Sequence, residues 1–299
     1  VAPASAHTEQ APGFFRTRVG TTTVTALYDG QIALAPGLLK GLAADSVQAL
    51  QAKGFQSAEP GIQTAVNAFL VDTGERRVLV DAGAAKCFGP TMGNIVVNIR
   101  AAGYEPADID TVLLTHMHPD HICGLVDADG KAVFANATVW AAKEDADFWF
   151  DAATTKAADD AIRPFFVMAQ QAVAPYQKAG QFRTFGAGDT LVSGFSAVPT
   201  PGHTPGHTSY HLQSGQDNLL IWGDIIHAHA VQLQHPEVSI EFDVNAQDAI
   251  QSRLSVLKQT ADQRWTVAGA HMPFPGIGHI RKDPDAYRWV PVEFGPVAQ

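Results

Sequence analysis

Short apolar runs rich in Val, Ile, Leu and Thr, each closed by Gly, Pro or Asp, alternate along the chain with stretches whose apolar residues recur every three or four positions. The first kind predicts strands over 22–28, 64–71, 77–81, 111–115, 136–140, 195–199, 208–212, 219–222 and 265–268, with a further strand near Leu191. The second kind predicts a helix over 46–53, capped by Asp45 and ended by Gly54, and a helix over 91–102 ended by Gly103. A third helix is expected over 246–259. An alanine- and charge-rich middle segment, about 144–179, reads as helical and broken around Pro164 and Pro175, because proline removes a helix hydrogen bond.

Two similar halves, each strands followed by a helix, predict an α/β chain whose two sheets are flanked by helices. Neither a Gly/Ser- or Pro-rich linker nor a short-period repeat divides it, so residues 1–299 read as a single domain with an N-terminal arm of about 1–20.

The apolar run 111–115 ends in His116-Met117-His118-Pro119-Asp120-His121, three imidazoles and a carboxylate in one short loop. Such borderline and hard donors suit zinc and its first-row neighbours, and a strand end holds them rigidly. The strand ending at Pro199 runs into Gly202-His203-Thr204-Pro205-Gly206-His207, that over 219–222 into Gly223-Asp224, and that over 265–268 into Gly269-Ala270-His271. Four strand ends from two halves of the chain thus carry metal-competent side chains.

Composition narrows the partners. With 299 residues, 46% of them hydrophobic, the chain can bury a large core; no apolar stretch reaches the roughly 18 residues of a membrane span. A formal charge of -10 without clustered Lys and Arg argues against a nucleic-acid partner. Ala4-Ser5-Ala6 has the small-x-small pattern left by signal peptidase, which makes a periplasmic or secreted location the expectation. Cys87 and Cys123 follow two strand-like runs, so if those strands are neighbours their loops meet and a disulfide forms; two packed thiols are the alternative.

With these motifs the chain resembles the metallo-β-lactamase superfamily, which shares the H-x-H-x-D-H loop, a later Gly-His, an Asp after a strand and a terminal His. Within it, Phe88-Gly-Pro-Thr91, the Glu144–Trp149 stretch and Pro273-Phe-Pro-Gly-Ile-Gly-His279 are similar to the methyl parathion hydrolases, an organophosphate-hydrolase family. The resemblance implies an αββα sandwich, a homodimer and two divalent metal ions per chain, zinc by default with cobalt, manganese or iron as alternatives. It assigns His116, His118 and His207 to one metal, Asp120, His121 and His271 to the other, and Asp224 to both. His203 then supports His207, and Asp120 and Asp224 count as catalytic.

Two metals about 3.5 to 4 Å apart can hold a bridging hydroxide and polarise a substrate oxygen, so no side-chain nucleophile is needed. The resemblance implies attack of that hydroxide at the phosphorus of a triester such as methyl parathion, with aryl ester and lactone hydrolysis as side activities. Phe88, Trp149 and Phe165 or Phe166 are expected to line a pocket for a small, neutral, aromatic ester. Quorum-signal lactonases in the superfamily place a tyrosine three residues after the bridging aspartate; here His227 stands there, as a hydrogen-bonding group or as wall. A lactonase or carboxylester hydrolase with incidental triesterase activity is the alternative, and a non-enzymatic metal-binding scaffold is a third reading.

Overall fold

The computed structural model describes residues 10–57 and 59–297; the Ala4-Ser5-Ala6 motif lies outside them. The first half runs β1 (Phe14–Val19), β2 (Thr22–Leu34), β3 (Leu39–Lys40), α1 (Ala44–Lys53), β4 (Ile62–Asp72), β5 (Arg77–Val80), α2 (Ile95–Ala101), β6 (Thr111–Leu113), α3 (Pro119–Ile122) and β7 (Thr138–Ala142). Three helices follow, α4 (Lys143–Phe150), α5 (Ala152–Ala157) and α6 (Arg163–Lys178). Then come β8 (Phe182–Phe185), β9 (Phe195–Pro199), β10 (Thr208–Ser214), β11 (Asp217–Ile221), α7 (His229–Gln232), β12 (Ser239–Ile240), α8 (Ala246–Gln263), β13 (Thr266–Ala268), β14 (Ile277–Lys282) and β15 (Tyr287–Pro291).

A seven-stranded sheet, ordered β1-β2-β4-β5-β6-β7-β8, faces a six-stranded sheet ordered β15-β14-β13-β11-β10-β9. The two-residue periodicity of β4 shows why the layers form. Phe69 and Val71 point at Tyr210, Leu212, Leu219 and Ile221 of the second sheet, while Ala68 and Leu70 point the other way onto α2 and α6. The outer face of the second sheet, with Leu220, Val267 and Ile280, is covered by Val256 and Leu257 of α8. Helix, sheet, sheet, helix is therefore the layer order, as the sequence led us to expect.

Several local expectations change. The helix at 91–102 starts only at Ile95, because the Asp29 carboxylate accepts the amides of Gly93, Asn94 and Ile95 and anchors the first turn there. Asp45 lies inside the first turn of α1, whose N-cap is Ala43. Pro175 does not break α6 and is accommodated within it; the interruption falls before Pro164, between α5 and α6. Residues 14–19 of the expected arm pair with β2 as an edge strand. Leu191 lies in a loop. Cys87 and Cys123 are joined in a disulfide.

Candidate metal centre

β5 and β6 run parallel in the first sheet, as do β11 and β13 in the second, so their carboxyl ends open onto one edge of the sandwich. Asp81 follows β5, the His116–His121 loop follows β6, Asp224 follows β11 and His271 follows β13. Hydrogen bonds across the sheets fix the ends against each other: Asn67 Nδ2 donates to the carbonyls of Met272 at 2.8 Å and Gly269 at 3.2 Å, and Thr208 N–H donates to Thr115 O at 2.8 Å.

Among the described residues, His116, His118, His203 and Asp224 bring their donor atoms together in one group, and Asp120, His121, Asp224 and His271 in a second. Asp224 is common to both. Its Oδ1 lies 3.1 Å from His121 Nε2, and its Oδ2 lies 3.1 Å from His271 Nε2, 3.2 Å from His203 Nε2 and 3.5 Å from His116 Nε2. Asp120 Oδ2 is 3.4 Å from both His121 Nε2 and His271 Nε2. A tetrahedron with bonds near 2.0–2.1 Å has donor–donor edges of about 3.3–3.4 Å, so these separations match a ligand set. The electrostatics agree. Burial opposes charge on His121, yet Asp224, Asp120 and Asp81 push its pKa well above the ordinary value. Burial and the neighbouring imidazoles push His116 and His118 well down, which keeps both rings in the neutral form a metal ligand requires. His121 Nε2 and Asp224 Oδ1 are buried without hydrogen-bond partners. Two carboxylates, Asp120 and Asp224, among imidazole donors fit divalent cations.

The outward-facing ring nitrogens are held in turn. Asp81 Oδ2 accepts from His121 Nδ1 at 2.8 Å and from the Thr115 hydroxyl, and its Oδ1 accepts from Thr115 N–H. Ala65 O accepts from His271 Nδ1, and Asp243 Oδ1 accepts from His203 Nδ1, each at 2.8 Å. Such partners fix ring tautomer and orientation. The sequence reading missed Asp81 and Asp243; Asp81, a carboxylate at a strand end before Gly83, carried a usable signal, and Asp243 did not.

His207 must be reassigned. Its Nδ1–H donates to Thr200 O at 3.1 Å, and its Nε2 accepts the Asp224 N–H at 3.0 Å, so both nitrogens are committed to the backbone. Burial and His203 lower its pKa to about 3, as a neutral acceptor requires. A Cβ on Gly223, whose φ is +59°, would come within 2.6 Å of that Nε2, so the glycine lets the Asp224 turn close on the ring. His203 occupies the place expected for His207. A His203→Ala variant is expected to bind metal at the first group about 100-fold or more weakly, whereas His207→Ala keeps both groups; chelator-competition titration of each variant checks this.

Around the cluster, Phe88 and Phe165 are half-buried and meet edge to face at 5.8 Å, with Phe165 6.1 Å from the His118 ring. Trp149 backs His118 at 5.3 Å, but it is 1% exposed and its Nε1–H donates to Asp145. Phe166, also 1% exposed, packs behind Trp149 in the core; it is not a pocket residue, since it faces inward from α6. His227 stacks on His271, its Nε2 lies 3.1 Å from Asp224 Oδ2, and its Nδ1 is buried without a partner. His279, on β14, lies outside both groups. A cleft of about 1210 Å³ opens beside His271, lined by Tyr28, Gln31, Gln63, His229 and Phe274 among others; Glu59 is its only charged lining residue among those described.

The sequence profile of the Metallo-beta-lactamase superfamily matches residues 61–271, and the chain belongs to that superfamily. It is a metal-dependent hydrolase of that fold. Among solved structures it is similar to hydrolase AbOPH of the beta lactamase superfamily, 38% identical with TM-score 0.93, over 96% of this chain and 100% of that one. It is also similar to AidC, a dizinc quorum-quenching lactonase, 29% identical with TM-score 0.86, over 95% of this chain and 99% of that one. A curated relative, exodeoxyribonuclease WalJ of Streptococcus pneumoniae, is 29% identical over 135 residues, 41% of this chain and 48% of the relative. The match thus spans about half the length of that relative.

Proposed function

We propose that the chain hydrolyses small neutral esters with an aromatic leaving group, organophosphate triesters of the methyl parathion type foremost, at a centre holding two divalent ions, zinc by default. The observation that carries this reading is the near-neutral cleft that reaches the cluster at His271, together with the Phe88–Phe165 pair standing beside His118. Two bound ions supply a strong nucleophile from water at neutral pH and polarise the phosphoryl or carbonyl oxygen. His116, His118, His203 and Asp224 would hold one ion; Asp120, His121, His271 and Asp224 the other.

The protein's own contribution is orientation. Edge-to-face rings beside His118 can clasp an aryl leaving group, which departs as a stable phenolate and needs little acid assistance. His227 Nδ1, buried and unpartnered, is a hydrogen-bonding group of the right chemistry for a substrate oxygen. A lactonase is the second reading, favoured by the end-to-end likeness to the dizinc lactonase. An oxidising compartment belongs to the same proposal, because a disulfide such as Cys87–Cys123 persists there.

Specificity constants for methyl paraoxon, phenyl acetate and N-hexanoyl homoserine lactone, measured on one metal-quantified preparation, separate the readings. The triester is expected to exceed the lactone by about tenfold or more, a difference of about 1.4 kcal/mol in transition-state stabilisation. A lactone preference of that size would replace the first reading with the second.

A further inference from the structure

Asp145 is fully buried at the start of α4, has no metal-facing atom, and yet meets both loops that build the first ligand group. Its Oδ2 accepts the N–H of Met117, the residue between His116 and His118, at 2.9 Å. Its Oδ1 accepts the N–H of Gly206, in the turn between His203 and His207, also at 2.9 Å. The indole N–H of Trp149, one helical turn on, donates to Oδ2 at 3.2 Å and fixes the carboxylate's rotamer. A second observation is independent of these bonds. A Cβ on Gly206 would lie 2.3 Å from Asp145 N and 2.8 Å from its Cβ, so the turn touches the backbone of α4 directly. By contrast, the second ligand group draws Asp120 and His121 from α3 and His271 from the turn after β13, with Asp81 and Ala65 as supports; Asp145 touches none of them.

We propose that Asp145 is a positioning residue that joins the two histidine loops and thereby sets metal affinity at the His116–His118–His203–Asp224 group selectively. The inference rests on the dinuclear reading above. A carboxylate offers an acceptor to each loop at once, whereas a carboxamide offers one oxygen only; Asp145→Asn therefore keeps shape and volume while forcing one loop amide to go unpaired. Released by one bond, His203 would drift relative to His116 and His118, and a metal feels misplacement of its donors more than the fold does.

The test is competitive titration of zinc against a chromophoric chelator, on the full chain, for wild type, Asp145→Asn and Asp147→Asn. Asp147 is an exposed acid on the same helix, paired with Lys143, and controls for charge. Wild type must first show two bound zinc ions; failure there sinks the dinuclear reading itself, not this inference. Given two ions, Asp145→Asn is expected to weaken one by about 10- to 100-fold and leave the other within about threefold, with unchanged far-UV circular dichroism. Equal weakening of both ions, or of neither, overturns the proposal. Should Asp145→Asn not fold, Gly206→Ala carries the same test by pushing the turn off α4, with the same selective loss expected and the same two results overturning it.

Discussion

Asp224→Ala is expected to bind neither metal tightly and to lose about 10³-fold or more in kcat/KM on every ester substrate, about 4 kcal/mol of transition-state stabilisation. The reason is geometric. Among the described residues no other side chain belongs to both ligand groups: Asp224 Oδ1 serves His121, and Oδ2 lies within 3.5 Å of His116, His203 and His271. Truncation removes one donor from each group and the charge they share. Burial disfavours that charge, and the surrounding imidazoles of His121, His271 and His116 nonetheless hold the Asp224 carboxyl well below its usual range, so the cluster is built around an ionised carboxylate. Elemental analysis after dialysis, with initial rates on the same samples, checks both halves. A variant retaining two tightly bound ions and more than a tenth of wild-type activity would show that Asp224 is not shared. Asp224→Asn keeps the shape but not the charge and is expected to fall between wild type and Ala.

Much of this centre could be read from sequence because its ligands sit at strand ends, where apolar runs stop abruptly at His or Asp. His116 to His121 are contiguous, and Asp224 and His271 each follow a run ending in Gly or Gly-Ala. The choice between His203 and His207 could not be read, since both occur in the same Gly-His-Thr setting. What decides it is tertiary: the Thr200 carbonyl and the Asp224 amide consume the nitrogens of His207, while Asp243, far along the chain, turns His203 Nε2 inward. Asp145 was hidden differently. It lies in the acidic run Glu144-Asp-Ala-Asp147, where a solvated helix start is the ordinary expectation, and only its neighbours reveal a buried acceptor. Strands β14 and β15 carry no clear pattern in the sequence because Arg281, Lys282 and Arg288 interrupt their alternation, and pairing supplies what pattern lacks. The resemblance offers Phe165 or Phe166 alike for the pocket; the turn of about 100° between successive helix residues puts Phe165 beside His118 and Phe166 in the core.

Replacing both Cys87 and Cys123 with serine is expected to lower unfolding free energy by about 4 kcal/mol at 25 °C, from the chain entropy regained when the cross-link is removed. The bond closes a sequence separation of 36 residues, long enough for this effect to be large. Its placement extends the consequence to the site. Cys87 adjoins Phe88, and Cys123 lies two residues beyond His121. The same two segments are also joined by backbone bonds, Ala82 N–H to His121 O at 2.8 Å and Gly124 N–H to Gly83 O at 3.0 Å. Those bonds hold His121 without the sulfurs, whereas Phe88, which packs on Phe165 and Met92, is tied to the end of α3 through the neighbouring disulfide. The variant should therefore keep its metals and kcat while KM for aryl substrates rises several-fold. Urea unfolding with an unchanged m-value, beside steady-state kinetics, reads both effects. A loss below about 1 kcal/mol would mean that the unfolded chain already keeps these segments together, since the cross-link then removes little entropy. A fall in kcat with KM unchanged would place the bond's influence on His121 instead of Phe88.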